Sequence, residues 1–286
     1  MVHTTLNVAQ QEAPNQKSQR ATRWLTRGVV ALLATVFFLF IGIPLAALLI
    51  REPPLLLWQD LQQPEVLQAL QLSVITTCIS TLLTILLGIP VAYILARTRV
   101  RGRRFLEILV TMPTILPPVV AGVALLITFG RLGLVGHFLT PFGITLSFST
   151  AAVVMAQLFV SSPFFVNSVK AGLEQLDQRY EQAAYTLRGS PFYTFRRVTL
   201  PLIRAAVFAG IGTSWARALG EFGATIMFAG NFPGTTQTMP LAIYIASQTS
   251  LDSTVALSVL LMAVSFGILL ALTLARGTSV PFTANH

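Results

Sequence analysis

Leu173 to Ala206 reads LEQLDQRYEQAAYTLRGSPFYTFRRVTLPLIRAA, a polar and charged connection between two long apolar stretches. Leu173, Leu176, Tyr180, Ala183, Ala184 and Leu187 recur at intervals of three and four, which predicts an amphipathic helix over Leu173–Leu187. Gly189-Ser190-Pro191 ends it. Ser190 suits the N-cap of a second short helix and Pro191 its first turn, because a serine oxygen accepts a free N–H there and proline has none to lose. Phe192, Phe195 and Val198 share one face of that helix before Pro201 opens the next apolar stretch. Two readings stand for such a pair: a surface that docks a partner's groove, or a helix pair that only packs beneath its own spanning helices.

The composition around this connection is that of a membrane protein. Of 286 residues 54% are hydrophobic and 10% charged, against roughly 25% charged in a soluble domain. With a mean hydropathy of +0.72, too few ionic side chains exist to cover a water-facing surface, which argues against a soluble enzyme and a disordered chain. The net charge of +9 is then first a topology signal, not a nucleic-acid footprint. One cysteine, Cys78, excludes an intrachain disulfide or a cysteine-based zinc cluster.

A spanning helix needs ~20 mostly apolar residues. Gly28–Ile50, a segment within Val66–Ala96, Ile108–Gly130, Thr150–Val169, Leu202–Ala229 and Ser253–Ala275 meet that length, so six spans are expected. The Gly/Pro-rich HFLTPFGITLSFST, His137–Thr150, reads as a loop, and residues 1–22 as a disordered tail. The 23 residues of the first span exceed the ~7–15 of a signal-peptide core, so it reads as retained. Lys17, Arg20, Arg23, Arg27, Arg97, Arg99, Arg101, Arg103, Arg104, Lys170, Arg179, Arg188, Arg196, Arg197, Arg204 and Arg276 fall on one side, against Arg51 and Arg131 on the other. Both termini are therefore expected in the cytoplasm.

The chemistry the sequence lacks is equally informative. A phosphate-binding loop needs Gly-x4-Gly-Lys-Ser/Thr, and neither lysine, Lys17 or Lys170, lies in one. His3, His137 and His286 are too scattered for a His-Glu-x-x-His metal site, and no Gly-x-Ser-x-Gly elbow occurs. An enzyme is disfavoured.

Gln182 to Pro201, QAAYTLRGSPFYTFRRVTLP, resembles the cytoplasmic signature of permease subunits of bacterial ABC importers: Glu-Ala-Ala, three residues, Gly, nine residues, Ile-x-Leu-Pro. Ala183 and Ala184 match the alanine pair, Val198 takes the Ile position, and Leu200 and Pro201 match outright. Gln182 stands at the usual Glu, with Glu181 before it, and Arg188 at the usual Gly, with Gly189 after it; a one-residue displacement of the turn accommodates both. The resemblance covers Val66–Ala275. It implies an all-α membrane protein of the type I importer permease fold: tail 1–27, first transmembrane helix 28–50, five-helix core 66–275 with a coupling loop 171–201, and tail 276–286. It also implies a homodimer of permeases in the lipid of the bacterial plasma (inner) membrane. Two cytoplasmic ATP-binding subunits would carry ATP and Mg, and a periplasmic or extracellular oxyanion-binding protein would deliver substrate. No cofactor would bind this chain. The implied ATPase-coupling residues are Glu181, Gln182, Ala183, Ala184, Tyr185, Leu187, Arg188, Gly189, Phe192, Phe195, Leu200 and Pro201, with Tyr185, Leu187, Phe192 and Phe195 as the hydrophobic centre. Arg179, Arg188, Arg196 and Arg197 remain open between a charged rim and inside-positive anchors.

Arg217 to Tyr244, RALGEFGATIMFAGNFPGTTQTMPLAIY, is the second informative stretch. An ionisable residue within a span is costly and marks a candidate site. Arg217 and Glu221 are four apart and can neutralise each other on one helix face. They form either a structural ion pair or, with Thr213 and Ser214 supplying hydroxyls, part of an anion path. Gly220–Ile226, Phe228–Asn231 and Thr238–Tyr244 resemble the molybdate-type permeases in particular, with sulfate/thiosulfate permeases as near relatives sharing the Ala-Gly-Asn neighbourhood. Pro113, Pro117 and Pro118 in the third span predict a kink, either a bent helix alone or a bend beside the gate. An ion-driven secondary transporter would need more intramembrane carboxylates than Glu221, and a membrane scaffold leaves the loop signature without a role.

Overall fold

The computed structural model describes residues 16–51, 63–98 and 101–275, and all regular structure among them is helical. They divide into two units. The first is α1, Gln16–Arg51, whose apolar side chains from Val29 to Ile50 are exposed on every face, Leu48 alone being half-buried, the pattern of a helix that belongs in hydrocarbon. Residues 16–22, expected as part of a disordered tail, are helical in α1. Gln16, Lys17, Arg20 and Ala21 are all good helix formers with no proline or glycine among them. Residues 1–15 and 276–286, which hold the rest of the two expected tails, lie outside the described residues.

The second unit is built on three long helices: α2 (Pro64–Arg97), α6 (Thr150–Gln175) and α10 (Arg204–Leu219). α2 and α6 run parallel, because Gln157 Nε2 donates to Thr77 Oγ1 at 3.4 Å and the Arg97 guanidinium donates to Leu176 O at 3.1 Å. α10 runs antiparallel to α6: Ser168 Oγ donates to Ala206 O at 2.8 Å, and Gly210 abuts Phe165. The fully buried Phe165 ring lies between Gly88 of α2 and Gly210 of α10. Glycine at these two positions lets three helix backbones close around one large side chain.

The interior of this trio is unexpectedly polar. Ser73, Thr76, Thr77, Ser80, Thr81 and Thr84 form one buried stripe along α2, facing Gln157 and Ser161 of α6 and Ser214 of α10. Thr84, Ser161 and Ser214 each lie four residues from the Gly88–Phe165–Gly210 layer, hence at one level. None of these three hydroxyls finds a hydrogen-bond partner among the described residues.

The third apolar stretch is two helices, α3 (Arg103–Ile115) and α4 (Pro118–Phe129), meeting at 115°. The expected kink is thus a full break. Leu116 (ψ 134°) and Pro117 (ψ 134°) are both extended, the conformation a following proline imposes. A short helix α5 (Gly136–Leu139) and a single tight turn at Thr140–Phe142 follow, then Ser149 caps α6 by accepting the Ala152 N–H. Since α2 and α6 are parallel, the α3–α4 pair must return the chain from the Arg97 end to the Thr150 end.

Past α10 the chain breaks at Gly220–Phe222 and resumes as α11 (Gly223–Phe228), α12 (Met239–Ala246) and α13 (Leu251–Ala275). The loop between α11 and α12 is pinned at the Thr150 end, where Thr150 Oγ1 donates to Thr235 O and the Met239 N–H donates to Ser73 Oγ. Val66, Ala69, Met239 and Leu257 cluster there, so α13 starts at that end and runs toward the other.

Candidate functional site

Two places combine chemistry with exposure. The first is the connection between α6 and α10. α6 continues to Gln175, past the expected end at Val169, and Leu173 is wholly buried in it. The amphipathic helix expected from Leu173 is therefore shorter: α7 spans Arg179–Thr186. Asp177 separates the two helices, its Oδ1 accepting the Arg179 N–H at 2.9 Å. α8 (Pro191–Thr194) begins as expected, with Ser190 Oγ accepting the Tyr193 N–H at 3.3 Å and Pro191 in the first turn. It continues through a wide turn at Phe195–Thr199 and a last turn α9 (Leu200–Leu202), which carries Leu200 and Pro201, then bends 75° at Ile203 into α10.

The turn after α7 has a definite geometry. The Arg188 N–H donates to Tyr185 O and the Gly189 N–H to Ala184 O, the paired bonds of a helix C-terminus closed by a left-handed residue. That residue is Arg188, at φ +60°. The turn is not displaced onto Gly189; arginine itself takes the conformation in which glycine is usual. A left-handed L-residue costs about 1–2 kcal/mol, and glycine recovers this less about 0.5–1 kcal/mol of extra chain entropy. Arg188→Gly is therefore expected to tighten the turn, slowing amide exchange at Gly189 by about twofold for half a kcal/mol.

The large side chains of the connection divide by exposure. Leu187 and Phe192 are 84% and 73% exposed, and Tyr180, Tyr185 and Tyr193 join them at the surface. Gln182, Ala183 and Arg188 are exposed as well, and Ala184 is half-buried. Phe195 is turned partly inward, its ring edge-on to Tyr93 of α2 at 5.9 Å. Glu181 is buried: its Oε2 lies 3.2 Å from Arg97 Nε, and its Oε1 accepts from Thr199 Oγ1 at 2.8 Å.

The second place is where the two broken helix pairs touch. A Cβ on Gly223 would lie 2.7 Å from Pro118 Cβ, and one on Gly122 2.7 Å from both Ala224 O and Met227 Cβ. Only glycine allows α4 and α11 to approach so closely. Pro117 and Pro118 are exposed at this junction, whereas Pro113 is buried within α3 and lines an apolar groove of about 410 Å³. Glu221 lies past the end of α10, so Arg217 and Glu221 do not share a continuous helix, yet the pair forms at 2.8 Å. The other Glu221 oxygen accepts the Ala224 N–H at 2.8 Å, holding the start of α11. Glu221 is fully buried, while the Arg217 side chain is 29% exposed. Thr213, one turn before Arg217, is exposed; Ser214 points into the polar interior. The sequence thus placed Thr213 and Ser214 together, and the structure leaves the first exposed and buries the second. Among the described residues, no three His, Cys, Asp or Glu side chains could hold a metal ion.

Residues 85–276 match the family described as the binding-protein-dependent transport system inner membrane component. The chain belongs to this family. It is 47% identical over 236 residues to the molybdenum transport system permease protein ModB of Mycobacterium tuberculosis, covering 82% of this chain and 89% of that one. A probable molybdenum ABC transporter permease protein of Haloferax volcanii is 38% identical over 90% of this chain and 94% of its own. The sulfate transport system permease protein CysT of Synechocystis is more distant, at 30% over 81% and 82%. Among solved structures, a bacterial ABC transporter importing alginate superposes with a TM-score of 0.71 at 15% identity, covering 92% of this chain and 98% of that one. The inward-facing methionine transporter MetNI gives 0.59 at 17%, over 74% and 94%. The fold is that of type I ABC importer permeases.

Arg97 and Gly122 are the residues of this inner membrane component that sequence reading passed over. Arg97 read as one more basic residue on a basic side, and its partner lies 84 positions away. The α2 hydroxyl stripe was legible in its spacing of three and four, but apolar content hides it.

Proposed function

We propose that this permease is the translocation subunit of an ATP-driven molybdate importer, with tungstate as a chemical look-alike. The observation that carries the substrate is the 47% identity to a molybdenum permease along most of both chains. The bent pairs α3–α4 and, across Ile203, Pro191–Leu202 with α10 each count as one span, which with α1, α2, α6 and α13 gives six and supports both termini in the cytoplasm. Two copies form the path. Two separate subunits carry ATP and Mg, and an external oxyanion-binding protein delivers the anion. The exposed Tyr185, Leu187 and Phe192 support docking of the α7–α8 connection in a groove of the ATP-binding subunit. The junction of the two breaks, with Arg217 and Thr213 on its open side, supports a cationic step in the path. The sulfate reading is supported by the 30% relative and by the shared Ala229-Gly230-Asn231 neighbourhood.

Competition in intact cells tests the substrate. Radiolabelled molybdate uptake should be suppressed by excess tungstate and unaffected by equal sulfate. Efficient competition by sulfate would move the assignment to the sulfate branch.

A further inference from the structure

We propose that Arg97, Glu181 and Thr199 are positioning residues that fasten the ATPase-docking helix α7 to the cytoplasmic end of α2, so that movement of α7 is carried into the spans. This rests on the importer reading. The Glu181 carboxylate meets Arg97 Nε at 3.2 Å through one oxygen and the Thr199 hydroxyl at 2.8 Å through the other. The same guanidinium donates to Leu176 O at 3.1 Å. One buried carboxylate and one guanidinium therefore join four segments: the last residue of α2, the cap of α6, the first turn of α7, and the turn leading to α10.

This link differs in kind from the other contacts of α7. The helix packs chiefly on α8 and the Phe195–Thr199 turn. The neighbouring ion pairs among Arg103, Glu107, Lys170 and Glu174 join α3 to α6 without reaching α7, and their side chains are 19–42% exposed. Such exposed pairs hold little. In Arg97–Glu181 both side chains are only 8% exposed, and Thr199 is 1% exposed. Breaking a buried pair on one side leaves an uncompensated charge, which makes the link stiff. Glu181 is thereby an internal fastening, and the ATPase contact falls to its exposed neighbours Gln182, Ala183 and Tyr185.

The whole complex, purified through a tag on this chain and reconstituted in liposomes with its binding protein, should be assayed for ATP hydrolysis and radiolabelled molybdate uptake in parallel. Glu181→Gln is expected to lower uptake about tenfold and hydrolysis no more than about threefold, so that the ratio of anion moved to ATP consumed falls. Thr199→Val, which leaves the ion pair in place, should lower the same ratio to a smaller extent. Arg97→Lys should recover part of the ratio, since lysine can pair with Glu181 but not also reach Leu176 O; Arg97→Met should not. A proportional fall of uptake and hydrolysis in Glu181→Gln and Thr199→Val, leaving the ratio at its wild-type value, would overturn the proposal and leave the cluster as packing only. Failure of the importer reading would look different: the wild-type complex itself would take up neither molybdate nor sulfate.

Discussion

Arg217→Ala should destabilise the permease by about 3–5 kcal/mol, the usual consequence of leaving a buried carboxylate without its counter-charge. Glu221 is fully buried and its second oxygen already serves the Ala224 N–H, so it cannot turn to another cation. Glu221→Gln is milder, because the amide oxygen can still accept from Ala224 and Arg217, partly exposed, reaches water. The double variant Arg217→Ala, Glu221→Gln removes both charges together and should recover most of the stability lost by the first substitution, a coupling of the kind double-mutant cycles measure. Thermal unfolding in detergent reads this directly.

Uptake in the same three variants decides between the two readings of the pair. If Arg217 serves the anion, uptake stays low in the double variant although stability has returned. If the pair is only structural, uptake returns with stability. The first outcome is expected, because Arg217 is the partly exposed member and shares its open face with Thr213, while Glu221 is wholly inside.

How far the sequence could be read depends on the range of the interaction involved. The long helices followed from hydropathy, a local and additive property, and α2, α6 and α13 lie within a few residues of the expected spans apart from the longer end of α6. Ser190 and Pro191 worked for the same reason: capping involves neighbours three residues apart. The break at Leu116–Pro117 was half legible, since two consecutive prolines announce a bend but not its 115°. The break at Gly220–Phe222 had no such signal, and Arg217–Glu221 looked like an ordinary helical pair. Glu181 was the hardest. Glu174, Asp177 and Glu181 stand at comparable positions in one polar stretch, and only the arrival of α2 beside α7 selects the third for burial. Long-range pairing of this sort is set by packing, and no local pattern encodes it.

On the proposed docking of ATP-binding subunits at the α7–α8 connection, Leu187→Asp combined with Phe192→Asp is expected to detach those subunits while leaving the permease folded. Both side chains stand in solvent, so their replacement should change stability by no more than about 0.5 kcal/mol each. At an interface, burying a leucine and a phenylalanine contributes about 1.5–3 kcal/mol apiece. The pair of aspartates removes that and adds the cost of desolvating two carboxylates. A loss of about 3–6 kcal/mol corresponds to a hundredfold or greater fall in affinity, enough to lose the complex during purification. Ala183→Glu should act in the same direction from the exposed face of α7, whereas Arg196→Ala and Arg197→Ala, if these side chains are inside-positive anchors, should leave association unchanged. Co-purification of the ATP-binding subunits with a tagged permease measures each case, and an undiminished yield with the aspartate pair would exclude the α7–α8 surface as the docking site. The hydrophobic positions decide the outcome because a groove that accepts Leu187 and Phe192 must be dry at its centre, where an added charge has no water and no partner.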